Sequence, residues 1–484
     1  MSIEGLPGHW AEASLGDIVH KLVDGSHNPP PKQSFGFPML SAVNINRNKI
    51  DFTENYRLID GPSFAEEDRR TAVVPGDILL TIVGAIGRAA VVPAHIDKFT
   101  LQRSVAVIGP ALVDSKFLCY QFEASQFARY LTDNARGTAQ KGVYLKTLAS
   151  AKVRLAPLLE QRRIVAKIEE LLSELDKGVE ALTTAWEQLK AYRQSVLKHA
   201  FEGKLTEAWR ARHKETLTKK TAHDVQLGAK AATKTDLHES RQIPVVWAYF
   251  RVDSLCSVVR GGSPRPAGDP KYYEGSIPFL KVADLTRTPG MNLSSHSYSI
   301  KEAGLSKTRM TPPDTLLISN SGATLGVPKI CTFETTFNDG IAAFLGIPDA
   351  YLEYFYFFWE SQTAALRNID QGAAQPNLNT SILGETLIPM CSKEEAAEIV
   401  GLLKAALSNI EQQSAEIELH LARANALRHS ILKQAFSGRL VAQDPADEPA
   451  SELLKRIRAE RARASVSKPG RKTKKIRKEK ETAR

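Results

Sequence analysis

A chain of 484 residues, 43% hydrophobic and 24% charged, has room for two or three cores and the composition of an ordinary globular protein. Its four cysteines, Cys119, Cys256, Cys331 and Cys391, stand far apart with no CxxC pair, which argues against a zinc site or a disulfide framework and for reduced cytosolic thiols. The formal charge of +10 resides wholly in residues 451–484, so the neutral body gives no electrostatic argument for nucleic acid, and the tail is either a solubilising end or a contact for phosphate or a partner.

The N-terminus, "MSIEGLPGHWAEASLGD", has neither the basic nor the apolar region of a signal peptide. Residues 1–156 read as a mixed α/β domain. Its strand-like runs, "LPGHW" from Leu6, "FPMLSAVNI" from Phe37, "VPGDILL" from Val74 and "GTAQKGVYL" from Gly137, are bounded by Gly, Pro or Asn. The most apolar stretch, Ile78 to Val92, is broken by Arg88 and too short to span a bilayer.

From Pro157 the period changes. Ile164, Ile168, Leu171, Leu175, Leu182, Leu189 and Val196 fall at alternating four- and three-residue or sevenfold spacing, with Ala185 and Tyr192 between them and Gly178 as a weak position. A seam sustained over more than four heptads predicts a coiled-coil helix across 157–205, a rod of roughly 50 Å between Ile164 and Val196. Residues 206–242 are polar, rich in Lys, Thr and Ala, and read as a linker.

The chain then begins again. "IPVVW" from Ile243, "IPFLKVADL" from Ile277, "PPDTLLIS" from Pro312 and "GAAQPNLNT" from Gly372 repeat the earlier runs, giving a second domain over 243–390. A second seam, Ile399, Leu403, Ile410, Ile417, Leu427 and Ile431 with Ala406 and Ala424, predicts a helix across 391–440, weak at Gln413. The two helices end alike: "RQSVLKHAFEGKL" from Arg193 and "RHSILKQAFSGRL" from Arg428 agree at eight of thirteen positions, 235 residues apart. A short helix and the basic tail fill 441–484. Two copies at a period near 236 residues indicate two domains doing one job on two similar objects, not a solenoid.

No catalytic constellation survives in both halves. Asn28-Pro29-Pro30 is followed by Pro31, where an amino-methyltransferase needs an aromatic to stack on an extruded base. Gly137 and Gly142 are spaced as in a phosphate loop, but Val143-Tyr144 replace the Lys and hydroxyl residue. Glu202-Gly203-Lys204 becomes Ser437-Gly438-Arg439 in the other copy, so a helix C-cap explains it better than a nuclease motif. The histidines show no metal-ligand spacing. Elimination leaves binding.

The layout resembles the specificity (S) subunits of type I restriction-modification systems, the HsdS family, over nearly the whole chain. "PLLEQRRIVAKIEELLSELD" from Pro157 is similar to the family's first conserved helix, and "VLKHAFEGKLTEAWR" and "ILKQAFSGRLVAQ" to its helix endings. "ASELLKRIRAERA" from Ala450 and the basic end resemble the enterobacterial-type branch. "PMCSKEEAAEIV" departs, with three extra residues before Ile399.

The resemblance implies an α+β fold in which two tandem target recognition domains are separated by two long antiparallel coiled-coil helices, a pseudo-twofold internal repeat. It implies a cytoplasmic, non-catalytic subunit that binds double-stranded DNA at a bipartite asymmetric site. Two modification and two restriction subunits would be its partners. S-adenosylmethionine, ATP and magnesium would be used on those other subunits for adenine methylation and ATP-dependent cleavage, with no cofactor or metal bound by this chain.

Specificity needs polar side chains presented to base edges. The candidates in loops between strand-like runs are Lys32, Asn44, Asn46, Arg47, Lys49, Arg88, Gln102 and Arg103 in the first domain. In the second they are Arg260, Arg265, Lys271, Lys281, Arg287, Asn320 and Lys329. For each one a solvated surface charge is the competing reading. The competing reading of the whole is a coiled-coil adaptor with two protein-binding α/β domains; a fused modification or restriction enzyme lacks its motifs.

Overall fold

The computed structural model describes residues 6–46, 48–53, 55–137, 140–215, 217, 242–322, 324–367 and 378–466. Arg47, most of 206–242, the tail beyond 466, part of the "GTAQKG" run and all of "GAAQPN" lie outside them. The chain divides into two compact units, Met1–Leu182 with Leu419–Arg484, and Thr183–Glu418. The division passes through both long helices. Each unit therefore holds one α/β domain, the first half of the helix that follows it, and the last half of the other helix.

In the first unit the central sheet is antiparallel, in the order Val19–Asp24, Val105–Pro110, Ile78–Thr81, Ala89–Val91. Ile78–Thr81 is buried at every position, as expected of an apolar run in a sheet covered on both faces. A second sheet sets Phe37–Leu40 between Arg57–Ile59 and Thr100–Leu101. Ala11–Ser14 pairs with Lys152–Leu155 and brings the domain's two ends together.

The second unit repeats the plan with additions. Its main sheet runs Ser257–Arg260, Ile341–Leu345, Thr315–Ser319, Pro328–Cys331, Asn292–Leu293. The other sheet sets Tyr273–Leu280 between Ser299–Ile300 and Thr335–Phe337, with Arg309–Thr311 outermost. Ala248–Arg251 pairs with Leu387–Met390, again joining the ends.

The long helices span Leu158–Phe201 and Lys393–Ala435. In the first unit Ile164, Ile168 and Leu172, near the start of one, share a core with Ile431, Leu432 and Ala435, near the end of the other. In the second unit Ile399, Leu403, Leu407 and Ile410 share a core with Val196, Leu197, Ala200 and Phe201. Start meets end in each unit, so the helices pack antiparallel. Two seam positions are corrected: Tyr192 is 57% exposed, and its equivalent 235 residues later, Leu427, is 52% exposed. The register there runs Ile417, Leu421, Ala424, Arg428, Ile431, and Arg428 takes the inward position because its guanidinium is neutralised by Asp176 at 2.5 Å. Beside the Arg428–Asp176 pair the helices leave a cavity of about 340 Å³ lined by Leu175, Val179, Leu421 and Ala424.

Two further expectations change. "LPGHW" and "IPVVW" are turns, not strands: Trp10 N–H donates to Pro7 O and Trp247 N–H to Pro244 O, each at 2.9 Å. Nor do the described residues of "GTAQKGVYL" form a strand; they make isolated bridges at Gly142 and enter the helix Leu145–Ala149. There are also no extra residues before Ile399. Glu160 and Glu395 keep the common offset and receive the indole N–H of Trp10 at 3.0 Å and of Trp247 at 2.9 Å. Ser392 stands where Pro157 stands, its hydroxyl accepting from Glu395 N–H at 3.3 Å, while Pro389 belongs to the preceding strand.

The repeated endings close each unit. Gly203 (φ +73°) and Gly438 (φ +70°) terminate the helices in the left-handed region. A Cβ on Gly203 would lie 2.4 Å from Pro244 Cγ, and one on Gly438 2.3 Å from Pro7 Cγ. Glycine is thus required twice over at both positions.

Candidate nucleic-acid interface

The loops that follow Val19–Asp24 and Ser257–Arg260 are built alike. Gly25 N–H donates to Val105 O at 3.1 Å and Gly261 N–H to Ile341 O at 3.0 Å. A Cβ on Gly25 would lie 2.2 Å from Leu101 O, and on Gly261 2.2 Å from Asn338 O, so glycine lets each loop lie against the turn that precedes the next strand. Two pairs of charged residues flank this junction, with opposite signs: Asp24 and Arg103 in the first unit, Arg260 and Asp339 in the second.

In the second unit the charges converge on Asp339. Its carboxylate accepts from Ser263 Oγ at 2.6 Å and lies 3.6 Å from Arg265 Nη2, while its carbonyl accepts from Arg260 Nε at 2.7 Å. The Ser263 hydroxyl and the nearby arginines hold its carboxyl below the usual range. Arg309 Nε donates to Arg260 O at 2.9 Å, and buried Tyr273 donates its hydroxyl to Pro264 O at 2.8 Å, so the loop is fixed at both ends. Lys281 lies 3.6 Å above the Tyr298 ring, on the loop whose Leu280 carbonyl accepts from Asn338 N–H. Arg260, Arg265 and Lys281 are therefore brought to one end of the sheets. Lys271 and Arg287 are exposed surface cations.

Two candidates of the second domain are spent inside it. Lys329, 5% exposed, donates to Gly290 O, and burial pushes its ammonium pKa down. Asn320 is fully buried, and neither amide atom has a partner among the described residues.

In the first unit Asp24 pairs with Arg70 Nη2 at 2.5 Å, and its other carboxylate oxygen lies 2.7 Å from His27 Nε2. Ser26 Oγ donates to Glu67 Oε1 at 2.6 Å, and Arg57 Nη1 to Pro30 O at 2.6 Å. Gln102 is half-buried beside Ser26, and Arg103, Lys32 and Arg88 are exposed. Asn44 is buried, and its Oδ1 accepts from Ser41 N–H at 2.9 Å, as Asp284 Oδ2 accepts from Lys281 N–H at 2.8 Å in the other unit. It is a helical-turn cap with no edge free for a base. Asn46 and Lys49 pair across a small hairpin. They line a cavity of about 940 Å³ with Glu169, Asp176 and Glu180 of the long helix, away from the Gly25 loop. Sequence reading missed Asp339, Ser263 and Arg309; the turn Asn338-Asp339-Gly340 was the available signal.

No described helix is long and apolar enough to cross a membrane. Among the described residues no group of three or more His, Cys, Asp or Glu is placed to hold a metal ion.

Known proteins share this arrangement. Residues 7–183 and 244–419 each match the type I restriction modification DNA specificity domain. The specificity subunit of the Escherichia coli type I restriction enzyme EcoDI is 23% identical, over 98% of this chain and 100% of its own. A chain from a structure addressing complex assembly and conformational transition of the type I R-M system superposes with a TM-score of 0.64 at 19% identity, covering 90% of this chain and 100% of that one. The HsdS subunit from Thermoanaerobacter tengcongensis superposes with a TM-score of 0.50 at 21% identity, covering 90% and 98%. At these identities the superpositions speak for the fold.

Proposed function

The chain belongs to the type I restriction-modification DNA specificity family and is the DNA specificity subunit, the non-catalytic component, of such a system; on that premise we propose that its two domains read the two halves of a split, asymmetric DNA sequence. The observation that carries this is the inversion of charge on a repeated frame. The same glycine-seated loop carries Asp24, paired with Arg70, beside exposed Arg103 in one unit, and Arg260, held by the Asp339 carbonyl, beside Asp339 and exposed Arg265 in the other. Two readers with one backbone plan and opposite polar faces suit two different half-sites, because base edges are told apart by their donor and acceptor patterns.

The helices act as the spacer between the readers and as the docking surface for two modification subunits. Two restriction subunits complete the cleaving complex. Adenine methylation with S-adenosylmethionine and ATP- and magnesium-dependent cleavage take place on those partners, in the cytoplasm.

The test is reconstitution with the cognate modification subunits, followed by mapping of methylated adenines on genomic DNA. Methylation at a two-part motif with a constant gap is the expected result. Replacing residues 243–390 by the corresponding domain of another specificity subunit should change one part of that motif and leave the other. A continuous palindromic motif, or methylation independent of this chain, would overturn the reading.

A further inference from the structure

We propose that Arg265 reads a guanine in the half-site of the second domain, and that Asp339 is the residue that positions it. This rests on the two-reader function above and goes beyond it by naming the residue and the base. Several arginines crowd this loop, and the structure separates them. Arg260 Nε is held by the Asp339 carbonyl, and Arg309 Nε by the Arg260 carbonyl, so both cations serve the loop itself. Arg265 makes no such backbone bond among the described residues; its side chain is 72% exposed, with the Asp339 carboxylate 3.6 Å from Nη2.

The backbone beneath Arg265 is constrained from several directions. Pro264 and Pro266 flank it, and proline fixes the φ angle on either side. Tyr273 holds the Pro264 carbonyl, Ser263 is tied to Asp339, and Gly261 lies against the Phe337 and Asn338 carbonyls. A guanidinium loses rotamer freedom when it binds, so a carboxylate that steadies one side lowers that cost while the opposite edge stays open. An arginine edge matches the paired O6 and N7 acceptors of guanine in the major groove, and no other base offers two acceptors there. A lone phosphate contact would not require this support. The first unit places Arg103 where the second has Asp339, so the carboxylate is specific to one reader.

The experiment uses the full chain in complex with its cognate modification subunits, on a DNA library randomised across the recognition sequence, with methylated products sequenced. For Arg265→Ala, preference for guanine should fall about 10- to 100-fold at one position of one half-site, the other positions holding. Arg265→Lys should restore it only in part, because an ammonium can approach O6 and N7 but lacks the rigid two-pronged fork. Asp339→Asn should relax the same position by a few-fold. A merely structural role for Asp339 would lower the melting temperature and leave the base profile unchanged.

If Arg265→Ala leaves the motif intact, or weakens all sequences equally as a phosphate contact would, the assignment is wrong. If wild-type complex shows no two-part motif, the two-reader function itself fails, and this assignment with it.

Discussion

Glu160 and Glu395 hold equivalent places near the starts of the two long helices, and each grips the tryptophan that opens its own domain. The surroundings differ. Glu395 also accepts from Thr206 Oγ1 at 2.7 Å and from Arg210 Nη1 at 2.5 Å, and Arg210 stacks over Trp247. Around Glu160 the neighbouring Arg163 turns to Asp447 at 2.5 Å, and burial raises the Glu160 carboxyl despite the indole bond. What the repeat retains is the joint between domain and helix. What it releases is the set of partners around that joint and, at the far end of each domain, the sign of the reading loops.

The sharpest way to break this comparison is to remove one carboxylate at a time. Glu395→Ala strips three donors of their acceptor and strands the Arg210 charge, an effect of about 3–5 kcal/mol for a buried pair. Glu160→Ala orphans one indole N–H and should cost about 1–3 kcal/mol. Urea unfolding of the full chain, followed by tryptophan fluorescence, should show a larger loss for Glu395→Ala; equal losses would mean that Thr206 and Arg210 add nothing.

The glycines test the retained part. Gly203→Ala and Gly438→Ala each force a left-handed alanine against a proline ring, and each should cost more than about 1 kcal/mol. Their midpoints should shift by similar amounts. A tolerated substitution in either would show that the proline contact yields.

A smaller effect of opposite sign is expected inside the reading domains. Asn320 and Ile82 share a backbone environment: Asn320 N–H donates to Gly340 O and Ile82 N–H to Ser104 O, both at 2.9 Å. Ile82 is apolar and buried, whereas Asn320 buries two unpartnered amide atoms. Asn320→Ile should therefore stabilise the protein by roughly 1 kcal/mol. A fall in the unfolding midpoint would show that the amide has a partner.

The sequence disclosed these frames because duplication preserves spacing. The helix seams, the repeated endings and the loops after Asp24 and Arg260 all keep offsets near 235 residues. It misled wherever a residue of unexpected type held a repeated place. Ser392 at the place of Pro157 looked like an insertion, and Arg428 in the seam hid behind the apolar Leu427 beside it. Among the candidate contacts, charge and loop position could not separate exposed Arg265 from buried Lys329, because burial depends on strands far apart in sequence. Asp339 escaped because its role comes from a loop 76 residues earlier, through Ser263.

The smallest expected difference concerns the arginine that opens each repeated ending. Arg428, itself 14% exposed in the seam, pairs with Asp176, which is 61% exposed, so this helix-to-helix bond has its carboxylate in water. Arg193 pairs at 2.6 Å with Glu360, 17% exposed, on the domain helix Leu352–Arg367. Exposed pairs contribute about 0–1 kcal/mol, whereas a buried carboxylate deprived of its cation is costly. Arg428→Leu should be neutral or slightly stabilising, since leucine restores the apolar seam between Ala424 and Ile431. Arg193→Leu should destabilise, because the other Glu360 oxygen is already buried without a partner among the described residues. If the two variants unfold at the same denaturant concentration, the repeated arginine does one job in both units, and the contrast in burial has no energetic consequence.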